Sequence, residues 1–191
     1  MCMNGKRIIL ASNSPRRREL LAGLDIDFEV RVLPGISEGY PEGLSKRSTA
    51  EYIAEEKAMA YRESVNIDEI VITADTIVVV DDEILGKPHD AEDARRMLRE
   101  ISGRTHQVIT GVCLMSVERK RTFSVSTDVT FKELSEKEID YYVDHYKPFD
   151  KAGAYGIQEW IGYVGVTNLS GSYFNVMGLP VQRIWTELEK M

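Results

Sequence analysis

Two runs of β-branched residues, Ile70 to Thr73 and Ile77 to Val80, lie on either side of Asp75 in the segment EIVITADTIVVVDDEIL. Short apolar runs of this kind predict buried strands. An ionised carboxylate between them is costly unless it is paired or binds a metal. The alternative is a bend or bulge in which Asp75 bonds the nearby backbone, because aspartate is depleted in strands. The segment therefore predicts buried strand structure with either a functional carboxylate or a local break.

Signals for helices alternate with signals for strands along the rest of the chain. Helix N-terminal motifs occur at Ser14 before Pro15, at Ser48 with Glu51, at Asp90, and at Ser135 with Glu138. The glycine-rich and aromatic segment from Lys151 to Pro180 predicts short strands and tight loops. This mixture predicts an α/β or α+β fold, with a mixed twisted sheet and flanking helices. The length suits one domain over residues 1–191.

Charge and composition exclude several classes of protein. The formal net charge of -7 argues against binding to nucleic acid or to an anionic membrane, which needs a basic surface. No apolar run reaches the ~18–20 residues of a membrane span. Cys2 and Cys113 are far apart, which predicts neither a disulfide framework nor a zinc cluster. The N-terminal segment is too short and too soon interrupted for a signal peptide. We therefore expect a cytoplasmic protein.

Three consecutive arginines, Arg16 to Arg18, follow the Ser-Pro step of the first predicted helix. A helix N-terminus is partly positive and presents free N–H groups, so it attracts anions and disfavours cations. An anion bound there would relieve the conflict, and the hydroxyls of Ser12 and Ser14 would add donors. A solvated basic turn with Arg18 paired to a nearby acid explains the pattern equally well. The motif alone leaves both interpretations open.

Other candidate residues are individually weak. Mg²⁺ needs only one or two carboxylates besides phosphate oxygens and water, so Asp75 and Glu38 would suffice as ligands. Lys87 stands in a turn fixed by Gly86 and Pro88. His106 has no second histidine or cysteine at ligand spacing, which favours a hydrogen-bonded structural role.

Six segments in order connect these residues: LASNSPRRREL, ITADTIVVV, LGKPHDAEDA, SGRTHQVITGV, DKAGAYGIQ and GSYFNVMGLP. Together they resemble the Maf family of nucleoside triphosphate pyrophosphatases from about Ile8 to Pro180. The resemblance implies a fold similar to that of inosine triphosphate pyrophosphatases, with two lobes around a cleft. It also implies hydrolysis of the α–β phosphoanhydride of a nucleoside triphosphate, with a divalent cation, Mg²⁺ or Mn²⁺, as cofactor.

The resemblance assigns roles to particular residues. It implies that Asp75 accepts the proton of the attacking water and, with Glu38, holds the metal. Selectivity falls to Arg16, Thr76 and Gln158, the residue types of the branch that prefers dTTP and UTP. The implied phosphate contacts are Ser12, Ser14, Arg17, Lys57, Lys87 and Lys151. One departure is Lys147-Pro148, where the family often has Glu-Pro.

The family resemblance leaves two further functions open. One is the branch that acts on 7-methyl-GTP, which the selectivity residues disfavour. The other is a non-enzymatic regulator of septum formation and cell division, which retention of Asp75, Glu38 and Lys87 disfavours. The expected partner is a nucleoside triphosphate substrate from the nucleotide pool, and assembly as a homodimer is left open.

Overall fold

The computed structural model describes residues 5–36 and 39–191, in which strands alternate with helices. The strands are β1 (Arg7–Leu10), β2 (Phe28–Val30), β3 (Glu69–Val80), β4 (Glu83–Leu85), β5 (Thr105–Met115), β6 (Lys120–Phe131) and β7 (Val166–Ser170). The helices are α1 (Pro15–Ala22), α2 (Lys46–Met59), α3 (Ala91–Ile101), α4 (Glu136–Tyr146), α5 (Trp160–Gly165), α6 (Tyr173–Met177) and α7 (Val181–Leu188). None of the helices in these ranges is long and apolar enough to span a membrane.

Within the described ranges, seven strands form one sheet with the order β2-β1-β3-β5-β6-β7, and β4 pairs with β3. β1 is parallel to both β2 and β3, so Ile8 lies between Phe28 and Ile70. The β3–β4 and β6–β7 pairs are antiparallel. The predicted α/β class, with a mixed sheet and flanking helices, is therefore confirmed. The cleft between two lobes stays a prediction.

Asp75 lies inside an unbroken strand. β3 continues from Glu69 to Val80, and its residues are buried except for Asp75 and Thr76, which are partly exposed. The bend between two strands considered from the sequence is therefore wrong. The carboxylate interrupts the apolar pattern without interrupting the backbone.

Most predicted helix N-termini are confirmed. Ser14, Asp90 and Ser135 each accept a backbone N–H at the start of a helix, and Ser135 forms the expected capping box. Helix α2 differs, because its N-cap is Ser45, which accepts the N–H of Ser48 at 3.2 Å. The prediction of Ser48 as the cap is therefore wrong. Both serines offer the required hydroxyl, and the helix simply begins one turn earlier.

The glycine-rich segment contains more helix than its composition predicts. α5 and α6 lie in it, beside the strand β7 and a short 3₁₀ turn at Ala152–Ala154. A Cβ on Gly162 would lie 1.8 Å from the carbonyl oxygen of Ile157, and one on Gly165 would lie 2.8 Å from the Phe131 ring. These glycines therefore permit close packing, and the prediction of strands and loops alone is wrong.

The chain divides into two compact units. Unit 1 comprises Met1–Asp75, Thr110–Val125 and Gly178–Met191, and unit 2 comprises Thr76–Ile109 and Ser126–Met177. In unit 1, a buried apolar cluster joins Ile9, Ala54, Ala58, Tyr61, Val71, Cys113 and Met115. Unit 2 has a larger cluster around Leu98, Phe131, Tyr142 and Tyr155. The assignment of 1–191 as one domain stays a prediction.

A close approach of helix α2 to the sheet shapes unit 1. A Cβ on Gly111 of β5 would lie 2.1 Å from the carbonyl oxygen of Ala50. The hydroxyl of Thr73 on β3 donates to the carbonyl of Ala54 at 2.6 Å. The absence of a side chain at Gly111 therefore allows the α2 backbone to contact β5. This contact at Ala50 fixes the position of the following turn of α2.

Candidate active site

Lys57 and Asp75 meet because α2 and β3 present them in register. Lys57 follows Ala54 by three residues on α2, and Asp75 follows Thr73 by two residues on β3, so each pair shares a face. Since Thr73 already bonds Ala54, the two charged side chains come together. Lys57 Nζ donates to Asp75 Oδ1 at 2.7 Å. The side chains are only 13% and 15% exposed, so this ion pair is weakly screened.

The first turn of α1 lies in the same unit. The hydroxyl oxygen of Ser12 accepts the backbone N–H of Ser14 at 3.2 Å, and that of Ser14 accepts the N–H of Arg17 at 3.4 Å. The Arg17 side chain donates from Nη1 to the carbonyl of Ala74 and from Nε to the carbonyl of Gly178, both at 2.8 Å. Arg17 therefore holds the backbone of the residue that precedes Asp75.

Five predicted site residues are thus linked in unit 1: Ser12, Ser14, Arg17, Lys57 and Asp75. The other two arginines differ in exposure, since Arg16 is half-buried and Arg18 is exposed. No acidic residue occupies the first turn of α1. The first turn of α1 thus carries no carboxylate of its own, and the anion site there stays a prediction.

Lys151 and Gln158 converge in unit 2. The Lys151 residue is only 8% exposed, and its Nζ lies 2.8 Å from Asp150 Oδ1 and 3.1 Å from Glu159 Oε1. Gln158 is half-buried, and its Oε1 is buried without a hydrogen-bond partner in the described part of the chain. Both side chains pack against Gly156, where a Cβ would lie 3.1 Å from Lys151 Cε and 3.2 Å from Gln158 Nε2.

Lys87 and Thr76 complete the predicted set in unit 2. Lys87 is exposed in the turn after β4, and the preceding carbonyl, that of Gly86, accepts the N–H of Gly153 at 3.0 Å. Gly153 adopts φ +68°, and a Cβ there would press on Val78. This contact ties the Lys87 turn to the loop that follows Lys151. Thr76 is half-buried on β3, next in sequence to Asp75.

His106 has the structural role expected of it. It is buried on β5, and its Nε2 pairs with the hydroxyl of Tyr155 at 2.7 Å. Burial lowers the pKa of His106 to about 4, so the imidazole is neutral near pH 7. Its ring also packs edge-on against Tyr155. The histidine thus belongs to the core of unit 2.

The second metal ligand predicted from the sequence cannot be placed beside Asp75. Glu38 lies outside the described residues. Within residues 5–36 and 39–191, no group of three or more histidine, cysteine, aspartate or glutamate residues could hold a metal ion by itself. Asp75 alone provides a carboxylate in the linked set of unit 1, which fits a cation that takes most of its oxygens from phosphate and water.

Two residues of unit 2 were missed by sequence analysis. Tyr142 on α4 donates a hydrogen bond to Glu159, and Glu159 also forms an ion pair with Lys151. Tyr142 has the spacing of a core residue on α4, so the sequence did not indicate a hydrogen-bonding role for its hydroxyl. Glu159 directly follows Gln158, and an acid at that place was the one available clue.

Comparison with known proteins gives consistent results. The family model described as "Maf-like protein" matches residues 7–191. The chain is similar to the dTTP/UTP pyrophosphatase of Phocaeicola vulgatus, with 63% identity over 97% of this chain and 96% of the relative. It is also similar to the dTTP/UTP pyrophosphatase of Bacteroides thetaiotaomicron, with 56% identity over 97% of this chain and 96% of the relative.

A solved structure resembles the chain more distantly. It is the nucleoside-triphosphatase, or dITP/XTP pyrophosphatase, of Mycobacterium abscessus, with a TM-score of 0.45 and 15% identity. The alignment covers 95% of this chain and 93% of that chain. A likeness this distant is no basis for an inference about the site.

Proposed function

The chain belongs to the Maf family, and from this premise we propose that it hydrolyses dTTP and UTP to the monophosphate and pyrophosphate. Such a nucleotide pyrophosphatase removes nucleotides from the pool, a housecleaning role. The observation that carries the chemistry is Asp75, a largely buried carboxylate on an unbroken strand, paired with Lys57. The choice of substrates draws support from the names of the two relatives.

Asp75 is assigned as the general base. A water molecule attacks the α-phosphorus, Asp75 accepts one of its protons, and a new P–O bond forms. The bond from the α-phosphorus to the α–β bridging oxygen breaks, and its electron pair leaves with pyrophosphate. Lys57 fixes Oδ1 of the carboxylate by its hydrogen bond. Arg17 fixes the neighbouring carbonyl of Ala74, so the base is held on both sides.

The remaining assignments concern binding. The α1 N-terminus, with the hydroxyls of Ser12 and Ser14, offers donors to phosphate oxygens. Lys87 and Lys151 are proposed to add positive charge to the phosphates. Arg17 stays a predicted phosphate contact, although two of its guanidinium nitrogens already bind the backbone. Arg16, Thr76 and Gln158 are proposed to select the nucleotide.

A divalent cation, Mg²⁺ or Mn²⁺, is proposed as the cofactor, with Asp75 and Glu38 as its protein ligands. When bound, it would neutralise charge on the phosphate oxygens. We expect excess chelator to abolish pyrophosphate release and added Mg²⁺ to restore it, as measured by a coupled pyrophosphate assay. Undiminished activity in chelator would remove the cation from this account.

Substrate choice provides the main test of the function. Uracil and thymine present an N3–H between two carbonyls, whereas cytosine presents an unprotonated N3 beside an amine. An amide that pairs with one edge leaves polar groups unpaired against the other, at ~1–3 kcal/mol each. We therefore expect kcat/KM for UTP and dTTP to exceed that for CTP by at least ~10-fold. Pyrophosphate release is measured for UTP, dTTP, CTP and 7-methyl-GTP.

The control is Gln158→Ala, which removes the amide. The preference for UTP over CTP should then fall towards equality, because the buried Oε1 acceptor is gone. Preferred cleavage of 7-methyl-GTP by the unmodified protein would move the chain to the other branch of the family. Release of pyrophosphate from none of the four would favour the regulatory alternative.

Two further assignments are part of this proposal. We propose a cytoplasmic location, because nucleoside triphosphates are made and used there. Assembly as a homodimer stays a prediction.

A further inference from the structure

The backbone of Gly156 in unit 2 is a point where three functional side chains converge. A Cβ at this position would lie 3.0 Å from Glu159 Cδ, 3.1 Å from Lys151 Cε and 3.2 Å from Gln158 Nε2. Only the lack of a side chain at Gly156 lets all three approach so closely. A small movement of this backbone would therefore displace both Lys151 and Gln158.

Tyr142 binds the backbone of Gly156. It is fully buried on α4, and its hydroxyl oxygen accepts the N–H of Gly156 at 3.0 Å. The same hydroxyl donates a hydrogen bond to Glu159 Oε2. Burial, reinforced by Glu159, raises the pKa of Tyr142 well above its usual range, so the phenol keeps its proton. The Tyr142 hydroxyl therefore donates to Glu159 and accepts from Gly156, the two residues on either side of Ile157 and Gln158.

Glu159 extends this arrangement to Lys151. Its second oxygen, Oε1, forms an ion pair with Lys151 Nζ at 3.1 Å, while the same nitrogen donates a hydrogen bond to Asp150 Oδ1 at 2.8 Å. The Glu159 carboxylate thus accepts a hydrogen bond from a neutral phenol on one oxygen and forms an ion pair with an ammonium group through the other. Because the Lys151 side chain is only 10% exposed, this ion pair is weakly screened and restrains both partners.

Gln158 lies in sequence between Gly156 and Glu159, so the contacts of these two residues with Tyr142 also restrain Gln158. Its Oε1 is buried, and no donor in the described part of the chain pairs with it. A buried acceptor without a partner lowers stability, so such an atom calls for an explanation. A ligand N–H supplies one, provided that the amide is held in a fixed orientation before the ligand arrives.

We propose that Tyr142 and Glu159 are positioning residues for nucleotide discrimination. They fix the Gly156–Gln158 backbone and the Lys151 ammonium, so that Gln158 offers its amide to the pyrimidine in one orientation. This inference rests on the proposed function, since it assigns how the same enzyme distinguishes UTP from CTP. It goes further because Tyr142 and Glu159 would affect the choice of base without contacting it.

The test measures kcat and KM with UTP and with CTP for Tyr142→Phe and Glu159→Gln. Tyr142→Phe leaves the Gly156 N–H and the Glu159 oxygen without their partner. We expect the UTP-over-CTP ratio of kcat/KM to fall by about 5-fold or more in each variant. The matched control is Tyr146→Phe, whose ring stacks on Tyr142 one turn along α4. That variant loses the same hydroxyl and should keep the original ratio.

A second measurement separates positioning from general damage. In a Gln158→Ala background, adding Tyr142→Phe should not lower the ratio further, because both changes act through one amide. A merely structural role would lower the melting temperature and both kcat/KM values together, leaving the ratio unchanged, and that result would overturn the inference. If Tyr142→Phe does not fold, the ratio for Glu159→Gln decides.

The failure of the inference differs from the failure of the function. If the unmodified protein releases pyrophosphate from UTP far better than from CTP, and both variants keep that preference, only the positioning role is lost. If the unmodified protein releases none from either nucleotide, the proposed function and this inference fall together.

Discussion

Replacing Asp75 by asparagine is expected to lower kcat for pyrophosphate release from UTP by about 10²–10⁴-fold, the usual contribution of a general base. Asparagine has almost the same shape, and its carbonyl oxygen can still accept from Lys57. It cannot accept the proton of the attacking water, and it brings no charge for a cation. The measurement is single-turnover pyrophosphate release, together with nucleotide binding and thermal unfolding of the same variant.

The matched control for this change is Asp128→Asn. Asp128 is also a half-buried strand aspartate, on β6, and its Oδ1 accepts from Gln107 at 2.9 Å. This variant should keep nearly full activity. If Asp75→Asn turned over UTP at the rate of the unmodified protein, Asp75 would be only the structural partner of Lys57, and the general-base assignment would be wrong.

Replacing Gly111 by alanine should lower the stability of unit 1 strongly. The added methyl group would lie 2.1 Å from the carbonyl oxygen and 2.2 Å from the carbonyl carbon of Ala50. Both are backbone atoms, so α2 and β5 must separate before the methyl group fits. We expect a loss of about 3 kcal/mol or more in the free energy of unfolding, measured by urea denaturation followed by circular dichroism.

The control for packing is Gly86→Ala, where an added Cβ meets no atom within 4 Å. It should change the free energy of unfolding by less than about 1 kcal/mol. Equal urea midpoints for the two variants would show that α2 can move away from β5 without cost. Because α2 also carries Lys57, the Gly111 variant should lose activity even at temperatures where it remains folded.

Local signals allowed much of the fold to be predicted. Ser14 with Pro15, and Ser135 with Glu138, identified two helix starts because a cap depends only on neighbours along the chain. Where two residues satisfy the same rule, as Ser45 and Ser48 do, the sequence cannot rank them. The helices of the glycine-rich segment were not predicted for another reason. Glycine favours turns by its freedom of φ, but at residues such as Gly162 it serves contact instead.

Candidate site residues could be named from the sequence, but the contacts between them could not. Asp75 stood out because a carboxylate within apolar runs is conspicuous. Its partner Lys57 lies 18 residues earlier, and nothing in either segment indicates that α2 would be held against β3. The role of Arg17 in binding two backbone carbonyls was equally hidden, because a carbonyl acceptor leaves no mark in a sequence. Such contacts come from packing and become visible only in three dimensions.

The composition of unit 1 from three chain segments has a consequence for biosynthesis. Its last segment begins at Gly178, and Arg17 reaches its carbonyl partner there across 161 positions of the chain. At about 5–20 residues per second, a ribosome needs on the order of 10–30 s to make that stretch. All of unit 2 is synthesised in the meantime. The segment that carries Asp75 is therefore made early, but Arg17, which binds the carbonyl of Ala74, acquires its second backbone partner only near the end of translation.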